Sequence, residues 1–156
     1  MQFRPYVPAD PSAALALGQR LQAHDPSLAF PLPERVHADL CTGPGDVQLI
    51  VATDDDGLHG GYSMRCDHYR WRGEPLRLYY FGYPISEGLV DKKYATLGPQ
   101  LQRDIQKRAQ LAYGLGGGGL GSRVNQLKIR GGWSAEEVPC FFFFNRPARV
   151  LEQLPA

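Results

Sequence analysis

The chain has few cysteines, and the three that it has, Cys41, Cys66 and Cys140, are far apart and form no C-x-x-C pair. This number and spacing argue against a disulfide framework or a zinc site, so we expect reduced, partly buried thiols. No run approaches the roughly 20 apolar residues that cross a bilayer. The N-terminus also lacks an apolar signal core. We therefore expect a cytoplasmic protein without a membrane partner.

A strong charge of one sign is also missing. The net charge of +1 comes from 17 basic and 16 acidic residues that are mixed along the chain, without a basic stripe. This mixture argues against nucleic acid as a partner. Three aspartates, Asp54, Asp55 and Asp56, share one turn, but neighbouring turn residues point apart and the EF-hand spacing is absent. We therefore expect a solvated turn and no metal site.

What the chain does have is a clear order of predicted elements within a single domain, residues 1–156. Alternating apolar residues indicate strands, and apolar residues three or four apart indicate helices. A hairpin leads into a strand–helix–strand unit, which predicts an α/β (α+β) fold with a mixed, mostly antiparallel sheet and helices on both faces. The predicted strands are residues 3–7, 47–53, 58–70, 76–84, 111–115 and 138–144; the predicted helices are residues 11–24, 33–40, 97–112, 120–130 and 148–154.

The loop between the strand at 76–84 and the helix at 97–112 is the most informative stretch. Thr96 suits the N-cap position, and Pro99 is tolerated because first-turn amides have no partner within the helix. Free amides and the positive end of the helix dipole bind phosphate. Lys92 and Lys93 lie in the loop just before this helix. The alternative is an ordinary strand–loop–helix unit with solvated lysines.

This element order resembles the GNAT superfamily of acyl-CoA-dependent N-acyltransferases, of which the chain would be a divergent member. Three segments carry the resemblance. F-R-P-Y-V-P-A-D-P (residues 3–11) is similar to the family's first strand and helix opening. K-Y-A-T-L-G (residues 93–98) stands where the family has its [RQ]-x-x-G-x-[GA] pyrophosphate loop. R-V-N-Q-L-K-I-R-G-G-W (residues 123–133) is similar to the late helix that ends in glycine and an aromatic residue.

The resemblance implies transfer of an acyl group, most simply acetyl, from acetyl-CoA or another acyl-CoA to an amine on a small molecule or peptide. The amine would attack the thioester directly, without a metal. Backbone amides of residues 94–98 would hold the pyrophosphate, and residues 83–90 would hold the pantetheine and the thioester. The implied CoA-binding residues are Val90, Lys93, Tyr94, Ala95, Thr96, Leu97 and Gly98.

Two residues near the end of the fourth strand are candidates for the chemistry. Glu87, expected to face the cleft, is the candidate general base, and its alternative is an ordinary loop carboxylate. Tyr83 is the candidate for orienting the substrate or donating a proton, and its alternative is a tyrosine that packs on a buried strand. His59 and His68 lie on the hairpin strands, where the resemblance allows a base that acts through water; the simpler interpretation is two half-exposed structural histidines.

The chain also departs from the family pattern. Lys93 replaces an arginine or glutamine, Thr96 replaces the first glycine, and the family's general-acid tyrosine falls near Lys128. These departures favour a second hypothesis, a catalytically silent GNAT-like binding or dimerisation domain. The single late strand lacks a hairpin partner, and bare edges invite strand addition, so a homodimer is expected. A third hypothesis is a nucleotide binder that uses the glycine run of residues 114–121.

Overall fold

The structure is a computed structural model that describes residues 1–31, 46–115 and 119–137. The described elements follow the predicted order. In chain order they are strand β1 (Gln2–Pro5), helix α1 (Pro11–His24), strands β2 (Asp46–Asp54), β3 (Gly57–Trp71) and β4 (Glu74–Ser86), two 3₁₀ turns (Glu87–Leu89 and Lys92–Tyr94), helix α2 (Leu97–Arg108), strand β5 (Ala112–Tyr113) and helix α3 (Arg123–Arg130).

The five strands form one sheet in the order β1-β2-β3-β4-β5. Three pairings are antiparallel, and β4 pairs with β5 in parallel over two residues only, Tyr79 with Ala112 and Tyr80 with Tyr113. The prediction of a mixed, mostly antiparallel sheet is confirmed. The short parallel pair matters for function because β4 continues to Ser86 after β5 has ended.

The sheet is covered on both faces because alternate strand residues point in opposite directions. On one face α1 buries Ala14, Leu17 and Leu21 against a set that includes Leu49 and Val51. The opposite face packs against α2, whose buried residues belong to a cluster with alternate positions of β2 and β3. That cluster includes Leu97, Leu101, Ile105, Ile50, Ala52, Tyr62 and Met64. The predicted helices on both faces are confirmed.

Several predicted boundaries are wrong. The helix predicted for residues 97–112 ends at Arg108, and Ala109 has an extended backbone (φ −123°, ψ 126°). Ala109 remains in the core at 6% exposure, so its spacing reports burial rather than helix. The strand predicted for 111–115 is only Ala112–Tyr113. Ser122 caps α3, so the helix predicted from residue 120 begins at Arg123.

Three predicted elements lie outside the described residues: the helix at 33–40, the strand at 138–144 and the last turn or helix at 148–154. Within the described residues, no helix has the length and apolar character needed to cross a bilayer. The same part of the chain contains no group of three His, Cys, Asp or Glu side chains arranged to hold a metal ion.

Candidate active site

A β-bulge near the end of β4 opens the site. Tyr83 and Pro84 of β4 together oppose the single residue Tyr62 of β3, between the pairs Gly61–Ile85 and Ser63–Gly82. Tyr83 has a positive φ of 48°, which is uncommon for a bulky side chain and concentrates at functional sites. Its side chain is 42% exposed, so the alternative of a tyrosine packed in the core is wrong. Proline inside a strand is typical of a bulge.

The bulge lies where β4 separates from β5. Beyond Tyr80, the edge of β4 that faces β5 has no strand partner in the described part of the chain. Gly114 follows β5, and a methyl group placed on it would lie 3.2 Å from the carbonyl oxygen of Phe81. We call the space between Gly82–Ser86 and Gly114–Leu115 the β4–β5 cleft. Its open strand edge offers backbone groups to an extended ligand.

The N-terminus of α2 carries the free amides that the sequence predicts, but fewer of them. Thr96 occupies the N-cap position without a side-chain cap, because its Oγ1 accepts a hydrogen bond from Gln100 Nε2 at 3.0 Å. The backbone N–H groups of Thr96, Leu97 and Gly98 have no acceptor within the described residues. Three open donors at the positive end of a helix dipole suit an anionic oxygen.

The preceding loop uses its own amides internally. Lys93 N–H donates to Asp91 Oδ1 at 2.8 Å, Tyr94 N–H donates to Asp91 O at 3.1 Å, and Ala95 N–H donates to Lys92 O at 3.2 Å. Val90 N–H likewise donates to Glu87 O at 2.9 Å. The expectation that the amides of Tyr94 and Ala95 are open to a phosphate is therefore wrong.

The side chain of Lys93 is also occupied. Its ammonium forms an ion pair with Asp56 in the β2–β3 turn and lies 5.1 Å from the centre of the Tyr94 ring. The pair ties this hairpin turn to the loop before α2. Its neighbour Lys92 is also exposed.

Glu87 is buried rather than turned to the cleft. It is 5% exposed, and its Oε1 accepts a hydrogen bond from Arg20 Nε at 2.5 Å. Its Oε2 accepts from Arg20 Nη2 at 3.0 Å and lies 2.6 Å from His59 Nδ1. Burial raises the pKa of this carboxyl, but hydrogen bonds from Arg20 and His59 outweigh burial and leave it below its usual value. The expectation of a cleft-facing Glu87 is wrong.

His59 completes this buried ion network. It is 3% exposed, not half-exposed, and its Nε2 lies 2.7 Å from Asp54 Oδ1 and 3.2 Å from the Tyr94 hydroxyl. The rings of His59 and Tyr94 stack with centroids 4.0 Å apart. Each ring nitrogen therefore faces a carboxylate, Nδ1 that of Glu87 and Nε2 that of Asp54. The network joins α1, the β2–β3 hairpin and the loop before α2.

Helix α3 closes the site from the side of β5. It ends in a Schellman motif: Trp133 N–H donates to Lys128 O, and Gly132, with φ of 89°, donates to Ile129 O, both at 3.0 Å. The predicted glycine C-cap is confirmed. The motif returns Trp133 to the sheet, with its ring 5.8 Å from that of Phe81.

Two cavities flank α3. The larger, about 540 Å³, lies beside the β4–β5 cleft between β5 and α3, and its lining includes Gly114, Asn125, Lys128, Trp133 and Glu137. The smaller, about 190 Å³, is a groove between α2 and α3 whose lining includes Pro99, Arg103 and Arg130. A methyl group on Gly98 would lie 3.9 Å from Leu127 Cδ2, so the open amides of α2 adjoin α3.

Comparison with known proteins identifies the fold. No protein-family model matches the chain, and no curated protein is similar to it in sequence. Among solved structures, an aminoglycoside acetyltransferase from an uncultured soil metagenomic sample matches with a TM-score of 0.61 at 13% identity, over 92% of this chain and 95% of that one. The chain has the GNAT acetyltransferase fold.

Two further structures support this fold. Glucosamine-6-phosphate N-acetyltransferase from Arabidopsis thaliana matches at 10% identity and a TM-score of 0.59, over 92% of this chain and 98% of that one. The aminoglycoside N-acetyltransferase AAC(6')-Iy in complex with CoA matches at 11% identity and a TM-score of 0.52, over 92% and 98%. At these identities the likeness concerns the GNAT fold alone.

Within this GNAT fold, sequence reasoning found part of the site. It singled out Tyr83, Thr96, Leu97 and Gly98, which lie at the bulge and the α2 N-terminus. It missed the pairing of Glu87 with Arg20 and with His59, which lie 67 and 28 residues away from it along the chain. No pattern in the neighbouring sequence predicts pairs of residues that are so far apart along the chain. The Tyr83-Pro84 dipeptide inside a predicted strand could have revealed the bulge.

Proposed function

We propose that the chain is an acyl-CoA-dependent N-acyltransferase, with acetyl-CoA as the simplest donor. The observation that carries the proposal is the set of three amides at Thr96, Leu97 and Gly98 that have no acceptor among the described residues, together with an edge of β4 that has no strand partner there. A CoA molecule needs both features, an anion site for its pyrophosphate and an extended edge for its pantetheine amides. One solved structure with this fold is a complex with CoA, which supports the same donor here.

The proposed roles follow from the geometry. The amides of Thr96, Leu97 and Gly98 bind the pyrophosphate, and Arg103 and Arg130 place positive charge in the adjoining groove. The open edge of β4 binds the pantetheine and leads the thioester to the bulge. Tyr83, exposed at the bulge, orients the acceptor. The loop before α2 contains Val90, Lys93, Tyr94 and Ala95. It positions the amides of the α2 N-terminus, and its own amides do not contact the phosphate.

The reaction needs positioning more than covalent catalysis. The acceptor nitrogen attacks the thioester carbonyl carbon, a C–N bond forms, and the C–S bond breaks with its electron pair going to sulfur. The acceptor is a small-molecule or peptide amine. Of the three matching structures described above, two are acetyltransferases named for aminoglycosides and one is named for glucosamine 6-phosphate, so amino sugars are the first acceptors to test.

Thr96→Asp tests the anion site without damaging the helix. Aspartate is a strong N-cap and suits the positive end of the dipole, so we expect the free energy of unfolding to rise by about 0.5 kcal/mol. The same carboxylate competes for Gly98 N–H and repels the pyrophosphate. We expect the CoA dissociation constant, measured by calorimetry, to increase at least about tenfold.

Two matched variants control for this change. Gln19→Glu adds the same charge on an exposed position of α1, and Thr96→Ser keeps a neutral cap; both should bind CoA like the unmodified protein. Unchanged CoA affinity in Thr96→Asp would remove the anion site from the proposal. No binding of CoA or acetyl-CoA by the unmodified protein would reject the transferase.

The alternative of a catalytically silent GNAT-like domain is favoured by one observation. Glu87, the predicted general base, has both carboxylate oxygens engaged by Arg20 and His59. Free thiol released from acetyl-CoA in the presence of amino sugars and peptides separates the two hypotheses. Binding of CoA without any amine-dependent thiol release would favour the silent domain.

A further inference from the structure

A two-stranded ribbon extends from the sheet at the β3–β4 turn. The last residue of β3 that pairs with β2 is Cys66, and the first residue of β4 that pairs with β5 is Tyr79. Residues 67–71 and 74–78 therefore pair only with each other within the described part of the chain. We call residues 67–78 the β3–β4 ribbon. It is about 15 Å long, because each residue of a strand adds about 3.3 Å.

The alternation of strand side chains places the charges of this ribbon on different faces. His68 lies opposite Arg77, and Arg70 shares their face because it is two residues further along β3. The two acidic residues of the ribbon, Asp67 and Glu74, belong to the other face. We call the exposed face with His68, Arg70 and Arg77 the arginine face. It carries two guanidinium groups and no carboxylate.

The arginines of the ribbon lack the carboxylate partners that arginines elsewhere have. Four arginines in the rest of the described chain form ion pairs with an aspartate or glutamate: Arg4, Arg20, Arg65 and Arg108. Among the same described residues, Arg70, Arg72 and Arg77 form no such pair. Two like charges on one face of a ribbon repel each other, so the chain keeps them at a cost to its own stability.

The turn at the ribbon tip also keeps an arginine in an unfavourable backbone conformation. Arg72 and Gly73 have positive φ values of 53° and 89°, as a two-residue type I′ turn requires. Asn, Asp and Gly are favoured at the first of these positions, and a bulkier residue is strained. The guanidinium of Arg72 lies 5.8 Å from the centre of the Trp71 ring, and Arg70 Nη1 donates to Gly73 O at 3.3 Å. Neutral groups thus hold both side chains in place and leave their charges available to an anion.

We propose that the arginine face and the tip of the β3–β4 ribbon bind an acidic peptide segment of another protein. This inference is independent of the proposed function. Guanidinium groups form strong paired hydrogen bonds with carboxylates, and arginine clusters recognise acidic motifs. Arg70 and Arg77 occupy diagonal positions, which lie about 7–8 Å apart, and alternate residues of an extended peptide are about 7 Å apart. A segment with Asp or Glu at every second position therefore matches the two arginines.

Calorimetric titration of the full chain with a short peptide of alternating Glu and Ser tests the proposal. We expect saturable binding at low salt that weakens as salt is added, and no binding of the peptide with Gln in place of Glu. The double variant Arg70→Gln with Arg77→Gln should bind about tenfold more weakly, because two charge pairs are lost. Lys92→Gln with Lys107→Gln removes the same charge from exposed positions elsewhere and should change the affinity by less than about twofold.

Arg72→Asn separates binding from stability. The resulting Asn-Gly turn suits the positive φ values, so we expect the midpoint of thermal unfolding to rise by about 2 °C. The affinity for the acidic peptide should nevertheless fall by about threefold, because the charge at the tip is lost. A substitution that only disturbed the fold would lower both quantities. Unchanged affinity would overturn the role of the tip.

The remaining outcomes decide the rest of the proposal. Absence of saturable binding at about 1 mM peptide, equal binding of the Glu and Gln peptides, or equal losses in the arginine and lysine double variants would each overturn it. Single-stranded DNA and vesicles of phosphatidylserine and phosphatidylcholine are titrated in parallel. Tighter binding of either one than of the acidic peptide, lost in the arginine double variant, would assign the face to another polyanion and would also overturn the proposal.

Discussion

The carboxylate of Glu87 connects three segments that are distant in sequence, through Arg20 on α1 and His59 on β3. Because its pKa is lowered in the folded state, the ionised form stabilises the fold. That contribution is complete above the ordinary value of 4.5 and is lost as the pH falls through the lower folded value. The network thus stabilises the fold at neutral pH, and this stabilisation is lost in acid.

Glu87→Gln tests this assignment of a structural role. It leaves Arg20 and His59 without their shared carboxylate, so we expect the free energy of unfolding at pH 7 to fall by about 2 kcal/mol in urea denaturation. The difference from the unmodified protein should shrink as the pH falls below 4.5, because the carboxyl of the unfolded chain then binds a proton that folded Glu87 binds only at lower pH. Glu74→Gln, at an exposed carboxylate, serves as the control. A difference that stays constant with pH would show that the charge is not what Glu87 contributes.

At the scale of residues, the sequence predicted where a residue lies relative to its helix better than it predicted which groups that residue contacts. Thr96 is at the N-cap as expected, yet its hydroxyl bonds Gln100 instead of the helix amides. Asp10 directly precedes α1, but its carboxylate accepts hydrogen bonds from Arg4 at 2.7 and 2.8 Å and from Val7 N–H. Such partners depend on the tertiary fold, which neighbouring sequence does not encode.

The end of α3 is the element that brings Lys128 and Trp133 to the cleft, and it depends on a left-handed glycine. Gly132 has φ of 89°, where a side chain is strained. Gly132→Ala should lower the free energy of unfolding by about 1 kcal/mol and loosen Trp133 from Phe81. In a Trp71→Phe background, the emission of Trp133 should shift to longer wavelength.

Gly18→Ala provides the matched control for this substitution. Gly18 lies inside α1, and a methyl group there meets nothing within 4 Å. Alanine is the better helix former, so we expect stability to rise by up to about 1 kcal/mol. Equal effects of the two substitutions would refute the Schellman assignment.

At the scale of elements, periodicity predicted which segments are helices and strands but not where they end. Ala109 is buried and continues the α2 spacing, although its backbone has already become extended. Apolar spacing records contact with the core, and a residue can make that contact from a loop. The strand predicted for residues 111–115 is also shorter in the structure, where Leu111 and Leu115 flank β5 and are exposed.

For the whole molecule, the element order together with three short segments carried a resemblance to the GNAT superfamily, and the fold that this resemblance implies is confirmed. The sequence also predicted that amides without a partner lie at the α2 N-terminus. The amides of Lys93, Tyr94 and Ala95 are not among them, because they donate to Asp91 and to the loop backbone. The expected homodimer and cytoplasmic location stay predictions. Analytical ultracentrifugation over a range of protein concentrations will measure the oligomeric state.

The central claim is that the amides of Thr96, Leu97 and Gly98 bind the pyrophosphate of CoA. The most direct measurement is the ¹H–¹⁵N spectrum of labelled protein titrated with CoA, with pantetheine, which lacks the pyrophosphate, as the comparison. We predict that CoA shifts these three amide resonances and slows their hydrogen exchange, whereas pantetheine does not. If CoA binds while all three resonances stay in place, the anion site is not at the α2 N-terminus and the account is contradicted.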